Sequence, residues 1–183
     1  MSAAGFVCLA GVSGAGKDTA GLHLQERHGF ERVAVADPLK EAVASLFGVT
    51  RRQLWGDERD KFDPRLGRTP RELYQWFGRA CVEADPEVWI RRFRTRVREI
   101  IVRGGRAVCT DLRTRGEFET VRSFGGVVWL IERSGAGAPG AAATHTTETE
   151  LAGAERRLFA KVIRNDGTLE DLPASLDEAL SAA

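Results

Sequence analysis

Gly11-Val12-Ser13-Gly14-Ala15-Gly16-Lys17-Asp18-Thr19 brings glycines, a lysine, a carboxylate and hydroxyls into one short run. The spacing G-x-x-x-x-G-K suits the cradling of a polyphosphate. Glycines let backbone N–H groups turn inward and approach phosphate oxygens closely. On this reading Gly11, Ser13, Gly14, Ala15 and Gly16 line an ATP site, and Lys17 reaches the β- and γ-phosphates. The residue after the lysine is usually Ser or Thr, whose hydroxyl ligates magnesium. Here it is Asp18. A carboxylate beside a triphosphate is repelled unless a cation bridges the two. Magnesium prefers oxygen ligands and keeps several waters. Asp18 therefore acts on Mg2+ directly or through its waters, or accepts a hydrogen bond from a second substrate. The competing reading is a first-turn acid that complements the helix dipole. Thr19 offers a hydroxyl to the α-phosphate.

Two further carboxylates follow apolar strands. Asp111 comes after Ala107-Val108-Cys109, where a magnesium-organising or base-like carboxylate is expected. Its alternative is a cap for a helix from Thr114 onward. Asp37 ends another strand, but Pro38 follows it, so capping is a rival there as well. His145 and Glu148 stand three apart, which is weak spacing for a metal. Gln75 offers hydrogen bonds to a base and Trp76 or Trp89 a stacking face, although core packing is the commoner role for such aromatics. His23 and His28 read as surface residues of the first helix.

These residues need elements to hold them. Strand-like segments are predicted at 5–10, 31–35, 106–110, 127–131 and 161–164, with helical patterns between them. The alternation implies a five-stranded parallel sheet flanked by helices, an α/β fold of the P-loop NTPase kind. Ligands in such sheets collect beyond the carboxyl ends of the strands. The phosphate loop, Asp37 and Asp111 all fall at that edge. Helices are predicted over 19–28 and 38–47, with Thr50 capping a short one through Trp55. Thr69-Pro70-Arg71-Glu72 is a capping box. Residues 87–103 carry an apolar stripe of Trp89, Ile90, Phe93, Val97, Ile100 and Ile101, with arginines on the other face. The polar stretch 56–68 reads as a mobile loop. Residues 135–143 are almost all glycine and alanine, suiting either a surface loop or a lid that excludes water.

With 183 residues, 43% of them hydrophobic, the chain suits a single globular domain. A net charge of +1 gives no footprint for nucleic acid, and no segment is long enough to span a bilayer. Cys8, Cys81 and Cys109 lack metal-ligand or paired spacing, which fits free thiols in a reducing cytoplasm. The apolar run near the N-terminus reads as a first strand rather than a signal peptide.

Five blocks together resemble the bacteriophage deoxynucleoside monophosphate kinases, within the adenylate-kinase-like P-loop group. They are 11–19 with Lys17-Asp18-Thr19, then Ala36-Asp37-Pro38-Leu39-Lys40-Glu41, then 71–78 continuing to Trp89. Thr110-Asp111-Leu112-Arg113 with Glu117 and Gly125-Gly126 is the fourth. The fifth is 144–148 followed by Asn165-Asp166-Gly167-Thr168-Leu169-Glu170-Asp171-Leu172. Gly78-Arg79 and the short stretch before Thr69 depart from the pattern at the acceptor side.

The resemblance implies transfer of the ATP γ-phosphate to a deoxynucleoside 5′-monophosphate, with Mg2+. It implies a helical acceptor-binding insertion over 36–105 and a lid over 133–150. Lys17, Asp18, Asp111 and Arg113 would be catalytic. Asp37, Lys40, Arg71, Gln75, Trp89, Arg113 and Glu148 would bind the acceptor, and Arg133, at the lid hinge, the ATP. It also implies a homodimer in the cytoplasm, the host's if the chain is phage-encoded. Other small-acceptor kinases, like those for phosphomevalonate or dephospho-coenzyme A, remain alternatives, as do a non-catalytic nucleotide-binding regulator and a nucleic-acid-dependent ATPase.

Overall fold

Phe6–Ala10 is apolar throughout and buried along its whole length, as expected of a strand covered on both faces of a parallel sheet. It is β1, the middle strand. The others are β2 (Phe30–Val33), β3 (Arg106–Cys109), β4 (Val127–Glu132) and β5 (Lys161–Arg164). Their order is β2-β3-β1-β4-β5, and every pairing is parallel. This computed structural model describes residues 5–112, 114–137, 156–168 and 170–182. The chain divides into two compact units, Met1–Ala34 with Arg96–Ala183, and Val35–Thr95.

The first unit holds the sheet. Helix α1 (Lys17–His28) ends at Gly29, whose left-handed backbone (φ 67°) turns the chain straight into β2. That early turn starts β2 at Phe30 rather than at 31, and its pairing with β3 ends at Val33↔Cys109. Leu24 of α1 packs in one cluster with Val7, Leu9, Val108, Trp129, Ile131 and Ile163 of the sheet. The C-terminal helix of this unit, Asp171–Ser181, adds Leu172, Leu176 and Ala179 to the same cluster. Between β3 and β4, the helix Arg115–Ser123 buries Phe118 and Val121. Its cap is Thr114, in a box with Glu117, so Asp111 is not needed as the cap.

The second unit is helical: α2 (Asp37–Phe47), α3 (Arg51–Trp55), α4 (Pro70–Ala84) and the first part of α5 (Val88–Val102). Numbering in chain order makes Arg115–Ser123 α6 and Asp171–Ser181 α7. Both expected caps form, with reciprocal boxes at Thr50–Gln53 and Thr69–Glu72. Val43, Val49, Leu54 and Leu73 make the core of this unit. Gly78 lies against Leu39, leaving no room for a Cβ there. The compact helical unit is Val35–Thr95, and α5 runs on to Val102.

The reading of 56–68 as a mobile loop is corrected. Asp63 is buried, pairs its backbone with Arg68 across a turn, and accepts hydrogen bonds from Gln53 Nε2 (2.7 Å), the Arg65 backbone N–H (2.9 Å) and Arg65 Nη2 (2.8 Å). High charge density misled the sequence reading, because most of those charges are paired within the unit. Of the expected lid, 133–137 is described and 138–150 lies outside the described residues.

Candidate active site

The phosphate loop follows β1, and its shape is set by backbone. Gly11 (φ 143°) runs against the Ile131 carbonyl of β4, where a Cβ would collide. Gly16 (φ 105°) is the N-cap of α1 and supplies no side-chain cap. The first N–H groups of α1 are therefore left for an anion. Ala15 is fully buried and holds the loop from below, while Ser13 and Gly14 are exposed. The Asn165 side-chain amide, just after β5, donates to the Ala15 carbonyl at 2.8 Å. Asn165 belongs to a resemblance block, but no local signal marks it as a support of the loop.

Lys17 Nζ donates to the Gly11 and Val12 carbonyls at 2.7 and 2.8 Å. The ammonium thus sits over the concave side of the loop, where a bound phosphate would compete for it. Asp18 and Thr19 are both exposed in the first turn of α1. Asp111, half-buried beyond β3, accepts a hydrogen bond from Cys109 Sγ at 3.1 Å. Burial pushes the Cys8 thiol up, and the Cys8 contact together with burial holds the Cys109 thiol well above the usual range. Both therefore stay protonated and inert at neutral pH.

Ser13, Asp18, Thr19 and Asp111 all offer hard oxygen donors, and the loop carries no thiolate or imidazole. That donor set fits Mg2+. Thr110, next to Asp111, is buried with its methyl against Gly21, and its Oγ1 has no hydrogen-bond partner among the described residues. Thr110 belongs to a resemblance block, but it was not among the expected site residues.

Arg113 and Glu148 lie outside the described residues, as does His145. Arg133 is exposed directly after β4. The turn that follows it is anchored where the Ser134 N–H donates to Asp166 Oδ1 at 2.6 Å, a bond that lowers the Asp166 pKa. Glu132 also forms a two-pronged pair with Arg156, at 3.0 and 2.9 Å. The two ends flanking 138–155 are thereby tied together.

In the helical unit the expected acceptor residues take different places. Asp37 is not a side-chain cap: its Oδ1 accepts from Trp55 Nε1 at 2.9 Å. Lys40 Nζ stands 5.4 Å from the Trp55 ring and 5.6 Å from the Tyr74 ring, and the Arg51 guanidinium lies 5.2 Å over Trp55. Asp37, Lys40, Trp55 and Tyr74 thus form one polar-aromatic cluster; Trp55 and Tyr74 were not among the expected site residues. Arg71 forms a two-pronged pair with Asp60, which lowers the Asp60 pKa. Gln75 is exposed. Trp89 donates to the Gly78 carbonyl at 3.3 Å and its ring leans on Phe77, so its indole N–H serves packing.

Sheet order and phosphate loop define the class: a five-stranded parallel α/β protein with the P-loop kinase fold. No protein-family model matches the chain. A protein of Acanthamoeba polyphaga mimivirus named "Putative deoxynucleotide monophosphate kinase" is 29% identical over 180 residues, covering 91% of each chain. Among solved structures, dephospho-CoA kinase from Campylobacter jejuni superposes with a TM-score of 0.51 at 9% identity, covering 97% of this chain and 96% of that one. The second similarity is one of fold. No helix of the described residues is long and apolar enough to cross a membrane.

Proposed function

We propose that this chain is a deoxynucleoside monophosphate kinase, moving the ATP γ-phosphate to a dNMP and releasing ADP and a dNDP. The observation that carries this reading is the end-to-end similarity to the mimivirus protein, whose name states that chemistry. The Lys17-Asp18-Thr19 sequence in the loop supports it.

Phosphoryl transfer needs charge neutralisation and alignment more than covalent help. The N–H groups of 11–16 and the Lys17 ammonium hold the donor phosphates. Mg2+, when bound, would be held through Asp18 and organised by Asp111, and would neutralise charge on the phosphate oxygens. Arg113 contacts the transferring group or the acceptor phosphate, and Arg133 contacts ATP as 133–150 closes. Arg71, Gln75, Trp89 and Glu148, with the Asp37–Lys40 cluster, receive the acceptor. The working unit is a homodimer of the phage type, and light scattering tests that part.

A panel of dAMP, dGMP, dCMP and dTMP, run beside their ribonucleotides with ADP release as readout, tests the reading. ADP formed only with one or more deoxynucleotides supports it. ADP formed only with another phosphorylated metabolite makes the chain a different small-acceptor kinase. ATP binding without turnover on any acceptor makes it a regulator.

A further inference from the structure

On the first unit, away from the phosphate loop, α1 and α7 bring three metal-ligating groups together. His23 and His28 present Nε2 atoms 2.6 and 2.7 Å from the same oxygen, Asp177 Oδ1. All three ligand atoms lie within 4.8 Å of one another. The imidazole rings meet edge to face, 5.4 Å between centroids and 68° between planes, so their nitrogens converge while the rings do not stack. The sequence reading of both histidines as plain surface residues therefore changes. Their shared partner lies about 150 positions further along the chain.

The cluster is held by its surroundings. His23 is followed by Leu24 and Asp177 is preceded by Leu176, and both leucines are fully buried in the sheet core. His28 is the last residue of α1, where Gly29 closes the helix on the Leu24 and Gln25 carbonyls. The Arg106 guanidinium donates to the His28 carbonyl. The side chains of His23, His28 and Asp177 are 13%, 26% and 52% exposed. The cluster thus has a sheltered wall and an open side.

We propose that His23, His28 and Asp177 form a binding site for a divalent transition-metal ion of the Zn2+ class, clasping the phosphate-loop helix to the C-terminal helix. Two imidazole nitrogens are borderline ligands that favour Zn2+ over Mg2+, and the one hard carboxylate oxygen is a donor Zn2+ also accepts. Zinc bonds of about 2.0–2.1 Å in a tetrahedral site place ligand atoms roughly 3.3 Å apart. The two His–Asp177 spacings of 2.6 and 2.7 Å need to open by about 0.6–0.7 Å, and the exposed Asp177 side chain has room to do so. Water takes the open fourth position. The site does not depend on the proposed kinase reading: His23 lies one helical turn beyond Thr19 on α1, and its three ligand residues are distinct from those assigned to ATP or the acceptor.

The probe is ZnCl2, titrated into chelator-stripped full-length protein and followed by calorimetry, with Co2+ absorption as a second readout. The expected result is one Zn2+ per chain at this site, tetrahedral-type visible bands with Co2+, and no displacement by excess Mg2+. At a hundredfold excess over Kd the melting temperature should rise by roughly 5–10 °C. His23→Gln, His28→Gln and Asp177→Asn should each weaken binding at least about tenfold. Asp177→Asn keeps an amide that still meets an imidazole, so its metal-free melting temperature should stay near that of the parent and report on folding separately. Stoichiometric uptake that all three variants retain undiminished would place the metal elsewhere and overturn the proposal. Failure of the parent to bind Zn2+ would leave only a histidine–carboxylate hydrogen-bond pair and overturn it equally.

Discussion

The side-chain amide of Asn165 donates to the backbone carbonyl of Ala15 at 2.8 Å, joining the turn after β5 to the centre of the phosphate loop. The same amide nitrogen occupies the space that a Cβ on Gly16 would need. The loop is therefore shaped from two sides, by the positive φ of Gly16 and by a residue from the far end of the chain.

Two substitutions separate these contributions. Asn165→Ala removes one hydrogen bond to the carbonyl of the fully buried Ala15, so stability should fall by about 1–3 kcal/mol. The KM for ATP should rise several-fold. Gly16→Ala must strain the backbone and push Asn165 aside. It should cost about 1–3 kcal/mol and abolish measurable ATP binding in calorimetry.

Lys17→Met deletes the ammonium that spans the Gly11 and Val12 carbonyls. Turnover should fall at least ~100-fold, the scale for losing one preorganised transition-state donor. Melting without nucleotide should move little. Turnover within a factor of a few of the parent would remove Lys17 from the chemistry.

Asp18 is exposed in the first turn of α1. If it acts through Mg2+, Asp18→Asn should raise the Mg2+ concentration needed for half-maximal rate and lower kcat more than ATP affinity. A loss confined to stability, about 0.3–1 kcal/mol, would make it a helix-dipole charge.

Trp55 connects Asp37 to Lys40 through its N–H and its ring face. Trp55→Phe keeps a ring and loses the bond to Asp37. If the cluster receives the acceptor, the acceptor KM should rise while ATP affinity stays constant. Steady-state kinetics with each substrate varied in turn decides the point, and a change in melting temperature alone would make Trp55 a packing residue.

Arg65 and its backbone N–H lower the Asp63 pKa from 3.8 to about 2. A carboxylate depressed in the folded state contributes stability that is fully present above its unfolded pKa. That contribution is lost as pH falls from about 4 towards 2. Denaturation curves across this window should therefore show stability dropping with acid. Asp63→Asn should flatten that part of the profile and lower stability at neutral pH. An unchanged profile would show that Asp63 contributes nothing to acid sensitivity.

Features under local control were legible before any fold was known. The glycine spacing defined the phosphate loop, an apolar run without breaks marked β1 as a covered strand, and Thr50 and Thr69 announced their helix starts through residues three positions on. Each of these signals lies within one turn or one strand, where backbone sterics and nearby hydrogen bonds decide the outcome. Tertiary structure alone decided the order β2-β3-β1-β4-β5, the support of Ala15 by Asn165, the pairing of Asp37 with Trp55, the burial of Asp63 and the meeting of His23 and His28 at Asp177. The His–Asp and Asn–Ala pairs lie about 150 positions apart, and the Asp37–Trp55 pair sits on two different helices. A polar side chain at such a position carries no mark of its partner, because the partner is set by which strands and helices become neighbours. The same residue reads as solvated surface until the fold brings the other half of its hydrogen bond to it.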